Sequence, residues 1–231
     1  MKKILLSLIF AIAAASAVSA QNLLLANPDN EAYLGARIGV DLTSTSGPST
    51  NTYNNGAGFS IGAVYNIPVW QNLYVEPGLS FFYNTFSEDI IRIPSEDAPG
   101  EVPVEQIIPR SIRNFGFRIP LLAGYHFDFT DMVKISVFTG PQLNISLYAH
   151  DHIKKLPDVD ETLEVGSLFG QNGFKHWDLQ WVFGASVAYD RYVFSVQGGV
   201  GMTRVFNKTY TPAVTDKLRR NTCTISLGYN F

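Results

Sequence analysis

From Tyr33 to Phe231, apolar and polar side chains alternate at every step over long stretches. The clearest stretch is Arg219 to Phe231. There Cys223, Ile225, Leu227, Tyr229 and Phe231 fall into one set, and Arg220, Thr222, Thr224, Ser226, Gly228 and Asn230 into the other. Successive side chains of a β-strand point to opposite faces, so a period of two predicts a strand with one apolar and one polar face. The same pattern predicts strands over 33–42, 57–66, 72–86, 112–127, 133–148, 176–189 and 192–204. With the last stretch this makes eight strands and an all-β chain.

The connections between these strands alternate long and short, with long ones at 43–56, 87–111, 149–175 and 205–218. That asymmetry predicts an antiparallel up-and-down transmembrane β-barrel of the outer-membrane type, with short turns at one rim and four surface loops at the other. The rival is a soluble, lipocalin-like, ligand-binding barrel, which is apolar inside and wet outside. Three features weigh against it. On the apolar faces of the predicted strands, Asp, Glu, Lys and Arg are absent except for Arg113, Arg204 and Arg219 at the ends next to the long loops. The polar face is rich in Gly, Ser, Thr, Asn and Gln, which suits a narrow, side-chain-filled lumen. Aromatics cluster in two belts. Tyr65, Trp70, Tyr74, Tyr125, Phe127, Phe129, Tyr189, Tyr192, Tyr229 and Phe231 lie near the short turns. Phe81, Tyr83, Phe117, Tyr148, Trp177 and Trp181 lie toward the long loops. Such belts are what the two membrane interfaces select. Pro77, Pro120 and Pro141 interrupt predicted strands. Each cannot donate to the ladder, so bulges that flip the facing beyond them are expected.

The N-terminus adds a compartment. Lys2 and Lys3 precede an apolar run, and Val18-Ser19-Ala20 precedes Gln21. This predicts a signal peptide over 1–20 and one barrel domain over 21–231. Gln21 stands where a lipoprotein would need Cys. Removing Lys2 and Lys3 takes the net charge from −3 to −5, which argues against nucleic acid as a partner. One cysteine, Cys223, cannot make an internal disulfide. A closed ladder of hydrogen bonds would hold such a fold without one.

Candidate chemistry is sparse. Arg37, Glu76 and Arg118 fall on the polar face, so they are expected in the lumen as a charge network. Eight strands leave an interior just wide enough for side chains, and confined charges need partners. His150-Asp151-His152 has metal-ligand residue types but no matching ligands elsewhere, and reads as a solvated loop. Asp158, Asp160, Glu161 and Glu164 read as an acidic surface loop, lacking a calcium loop's spacing. His126, near a short turn, reads as a packed histidine. No cofactor and no catalytic set is assigned. His176, Asp178 and the loop serines remain the candidates by type for an outer-leaflet lipid-modifying enzyme. An apolar pocket opening from the lipid side would favour that enzyme. A lumen plugged by polar side chains would favour a structural or interaction protein.

The runs Leu73-Tyr-Val-Glu-Pro-Gly-Leu-Ser, Arg118-Ile-Pro-Leu-Leu-Ala-Gly-Tyr, Phe138-Thr-Gly-Pro-Gln-Leu and Leu227-Gly-Tyr-Asn-Phe resemble the PorT-like small outer-membrane barrels of Bacteroidetes. The resemblance covers nearly the whole chain beyond residue 20 and rests on the order of the motifs. It implies a place in the cell outer membrane, among outer-membrane lipid, and insertion by the barrel assembly machinery. It implies a role accessory to protein export through a surface or export partner. A terminal aromatic, here Phe231, resembles the assembly signal of such barrels.

Overall fold

The computed structural model describes residues 32–46, 52–92, 106–130, 132–153, 169, 175–205 and 219–231. Nine strands form one antiparallel sheet: β1 (Tyr33–Ser46), β2 (Thr52–Asn54), β3 (Gly56–Trp70), β4 (Leu73–Arg92), β5 (Gln106–Thr130), β6 (Val133–Ile153), β7 (Trp177–Tyr189), β8 (Tyr192–Gly201) and β9 (Arg219–Asn230). The order is β2-β4-β3-β1-β9-β8-β7-β6-β5, and β4 pairs with β5 to close the ring. The three-residue β2 pairs with β4 just beyond the end of β3, so the wall is eight strands thick in circumference. The N- and C-terminal strands meet as β1 and β9, from Gly35↔Asn230 to Ser46↔Arg219. The predicted signal peptide lies outside the described residues.

Polarity is inverted relative to a water-soluble barrel. Ile38, Val40, Phe59, Ile61, Phe183 and Leu227 are exposed on the outer wall, while Asp41, Asn84, Asn144 and Gln180 are buried inside. Alternation produces this directly, because each strand turns one set of side chains outward and the other inward. The lumen is not wholly polar: Tyr74, Phe82, Leu122, Val182 and Val193 are buried in it. Tyr74 therefore leaves the predicted aromatic belt. It stacks on His126 inside the barrel, with ring centroids 4.0 Å apart. Gly124 makes the room, since a Cβ there would run into the Tyr74 ring.

The prolines do not shift the register. Pro77 pairs with Leu121, the ladder pauses, and it resumes at Ser80↔Arg118 in the same register. Pro120↔Gln142 is followed by Ala123↔Thr139, again without a slip, and Pro141↔Trp181 sits in an unbroken run. A missing donor removes a bridge but adds no residue, so facing is conserved. The irregularities fall elsewhere, between Pro68 and Trp70, between Phe115 and Gly116, and between Asp128 and Thr130. At the second, Phe115 pairs with Tyr148 and Gly116 with Ser146, which leaves Leu147 extra. Leu147 and Tyr148 both end up exposed.

Two of the short turns need a left-handed residue that is not glycine: Gln71 at φ 47° and Asp190 at φ 52°. At the other rim the strands outrun expectation. β4, β5 and β6 are 20, 25 and 21 residues long, whereas about 9–11 residues cross a membrane. The long connection expected over 87–111 is shortened from both sides, because Ser87↔Ser111 through Arg92↔Gln106 are paired. These strands form a wall that projects beyond the lipid-facing band.

Candidate functional site

The lumen has two zones. The first, toward the long-loop rim, is a packed plug. Arg118 Nη1 lies 2.8 Å from Asp41 Oδ2, and both side chains are buried. With its amide oriented to satisfy both ends, Asn84 accepts from Arg118 Nη2 at 2.9 Å. Asp41 also accepts from the Thr224 hydroxyl at 2.6 Å and from Ser60 at 3.4 Å. A second buried pair joins Arg220 to Asp178. Asn144 donates to the other Asp178 oxygen at 2.9 Å, and Gln142 donates to Asn144 and to Gln180. Phe82 is shared by the two cations, with Arg118 Cζ 4.7 Å and Arg220 Cζ 5.4 Å from its ring centroid. Charges buried in so small a space hold only when each is matched by an opposite charge and further hydrogen bonds. Arg118 and Asp41 meet that condition, whereas Arg220 has Asp178 for its charge but keeps Nε and Nη1 buried with no hydrogen-bond partner among the described residues.

The second zone, toward the short turns, is a cavity of about 750 Å³. The turn residues Asp128, Phe129, Thr130, Met132, Asp190 and Arg191 line its mouth, and the plug's Arg118 and Gln142 form its far end. Arg37 donates to Ala36 O at 3.0 Å and to Asn230 Oδ1 at 2.9 Å. Its aliphatic stem lies flat on Gly228, where a Cβ would collide with it. Glu76 is enclosed by the wall yet touches the cavity. It shares that cavity with Arg37. His126 is packed: Nδ1 is 2.6 Å from Ser136 Oγ and Nε2 is 3.4 Å from Asn66 Nδ2.

Arg37, Glu76 and Arg118 thus all point inward, but they do not form one cluster. Arg118 belongs to the plug, and Arg37 and Glu76 to the cavity. Sequence reasoning missed the partners Asp41, Asp178 and Arg220. Their signal was available, since all three lie on the polar face of their strands. What pairs with what depends on the stagger of strands across the lumen, which periodicity does not carry. His176 and Asp178 do not assemble a site. Asp178 is engaged by Arg220 and Asn144, while the exposed His176 stacks on Phe169 at 4.0 Å. His150 points outward against Tyr148, at 5.4 Å between ring centroids. The side chains of Asp151 and His152, and residues 158–164, lie outside the described residues. No group of three or more His, Cys, Asp or Glu residues suited to a metal occurs among the described residues. Phe231 is exposed, and its amide donates to Leu34 O at 2.8 Å, which fastens the chain end to β1.

An apolar outer wall, aromatic rims and a charged interior define an integral β-barrel of the outer membrane. The chain belongs to the outer membrane protein beta-barrel domain family, whose profile matches residues 19–207. No curated protein matches it. Among solved structures it is similar to Ail, the attachment invasion locus protein of Yersinia pestis, at 14% identity and TM-score 0.42, over 87% of this chain and 100% of that one. It is also similar to the outer membrane protein OprG from Pseudomonas aeruginosa, at 11% identity and TM-score 0.41, over 87% and 95%. Neisserial surface protein A gives 16% identity and TM-score 0.39, over 87% and 97%.

Proposed function

We propose that this barrel conducts no solutes, carries out no catalysis, and serves as a membrane-anchored interaction protein. The observation that carries this reading is the plug: two buried ion pairs, Phe82 and four amide side chains fill the lumen at one level. A polar, filled lumen is the arrangement that separates an interaction barrel from a pore. The binding surface is the wall formed by the outer ends of β4, β5 and β6, together with the surface loops. The PorT-like resemblance supplies the partner class, a component of protein export. Phe231 acts in assembly, read by the barrel assembly machinery as the closing strand docks between β8 and β1.

Planar-bilayer recording on the purified barrel tests closure. The expected trace is flat, and a steady ohmic pore in the wild type would overturn the reading. Photo-crosslinking from Arg113, which is exposed on the outer face of β5, tests the partner in native membranes. Recovery of an envelope export protein is expected, and recovery of lipid alone would remove the export role.

One contact favours an enzyme instead. Ser136, His126 and Asn66 form a hydroxyl–imidazole–amide series on the cavity. They face the short-turn rim, so they could not reach an outer-leaflet lipid. Ser136 is buried and held between His126 and the wall. A fluorophosphonate probe is expected to leave the folded barrel unlabelled, and stoichiometric labelling at Ser136 would establish the enzyme.

A further inference from the structure

The cavity is lined by a basic and an acidic side chain that do not pair with each other. Arg37 and Glu76 both line it. Arg37 spends donors on Ala36, Tyr229 and Asn230, all at the edge of the lumen. Glu76 faces the same cavity, and among the described residues no ion pair engages it. A guanidinium and a carboxyl group therefore face one space without pairing to each other. A guanidinium keeps five N–H donors, and a carboxylate can accept about four hydrogen bonds, so both retain capacity. The remaining cation on the cavity floor, Arg118, is taken by Asp41. At the mouth, Lys134 and Asp128 are 3.7 Å apart. The phenol rings of Tyr33 and Tyr74 line the same cavity. An ammonium held by a carboxylate gains further from aromatic faces around it.

We infer that this cavity binds a small zwitterion bearing an amine at one end and a carboxylate at the other, of the free amino acid or short peptide class. Glu76 takes the ammonium, with Tyr33 and Tyr74 lining the same cavity. Arg37 takes the carboxylate through its remaining donors. The cavity volume of about 750 Å³ lies within the ~300–1,000 Å³ typical of small-molecule sites and leaves room for a dipeptide. The mouth lies at the short-turn rim, so the ligand enters from the periplasm. The site is independent of the interaction surface proposed above, because it lies at the other end of the lumen.

The test is a nuclear magnetic resonance titration of the isotope-labelled full chain folded in detergent micelles. L-alanyl-L-alanine is the probe, with propylamine, propionate and the doubly blocked N-acetyl dipeptide amide as comparisons. The dipeptide is expected to give saturable shifts concentrated around Gly35, Gly78 and Gly228. Each singly charged or blocked probe is expected to bind about tenfold or more weakly, as the loss of one charge-assisted hydrogen bond implies. Glu76→Gln and Arg37→Gln are expected each to weaken the dipeptide by a similar factor, while Glu76→Asp retains most of the binding. Heat-modifiable gel migration verifies that each variant is folded. The comparison probes carry the test on the wild type if a variant fails to fold. Absence of saturable cavity shifts overturns the inference. So does propionate or propylamine binding as tightly as the dipeptide.

Discussion

Phe82 shows how single residues set the character of this lumen. An apolar ring on the polar face of a strand would be a misfit by pattern, yet it is buried completely. The guanidinium groups of Arg118 and Arg220 both lie over its ring, so two like charges share one small region of the lumen and one aromatic neighbour. Each arginine then needs its own acid. Asp178→Ala should leave Arg220 buried without a counter-charge and cost about 3–5 kcal/mol. Urea unfolding in lipid vesicles measures this, and a loss below about 1 kcal/mol would show that Asp178 is not the compensating charge. Turn residues give a second case. Gln71 occupies the left-handed region, where a side chain costs roughly 1–2 kcal/mol that glycine avoids. Gln71→Gly should therefore stabilise the barrel, by up to about 1 kcal/mol once glycine's greater loss of chain entropy is deducted. The same unfolding curve reads it, and a destabilised variant would mean that the Gln71 side chain holds the turn.

At the scale of the element, lipid is what made the strands readable. A strand inside the membrane must show one apolar face without exception, so β1, β7, β8 and β9 declare themselves in period two. Above the membrane that selection stops. Ser87–Arg92 and Gln106–Ser111 are strands in the structure, but their alternation is blurred by Pro109 and by charges, and they read as loop. The prolines misled in the opposite direction. Pro77, Pro120 and Pro141 look like bulges, but the real insertion is at Leu147, which carries no unusual residue type. The inward-facing set was legible from alternation, whereas Tyr74 was not, because a phenol suits either an interface or a wet lumen. Facing makes a direct prediction in β9. Ile225 is on the outer wall, and Ser226 borders the cavity. Ile225→Arg should cost about 2–4 kcal/mol of folding free energy into vesicles, since a charge near the midplane meets hydrocarbon. Ser226→Arg enters a space that already holds charged side chains, and should lose much less. Equal losses would mean that the two faces of β9 are reversed.

For the whole molecule, the unequal filling of the lumen matters most. A barrel of eight strands has room for one layer of side chains, and this chain uses large polar ones at one level and small ones at another. Gln142, Asn144, Gln180, Arg118 and Arg220 close the passage toward the loops. Toward the short turns, Ser186, Ser195 and Ser226 leave it open. The molecule is therefore a cup with its mouth at the rim where β1 begins and β9 ends, and only that end should admit a polar reagent. A water-soluble methanethiosulfonate can test this in a Cys223→Ser background, which removes the one native thiol. Ser186→Cys places a thiol on the cavity wall and should label rapidly in the folded, micelle-held barrel. Asn144→Cys places one inside the hydrogen-bonded plug beside Asp178 and should react only after unfolding. The contrast depends on water reaching one thiol and not the other, because the thiolate that attacks the reagent forms only where it is hydrated. Rapid labelling of Asn144→Cys in a barrel that still migrates as folded would show that the plug opens, and the closed-lumen function built on it would fall.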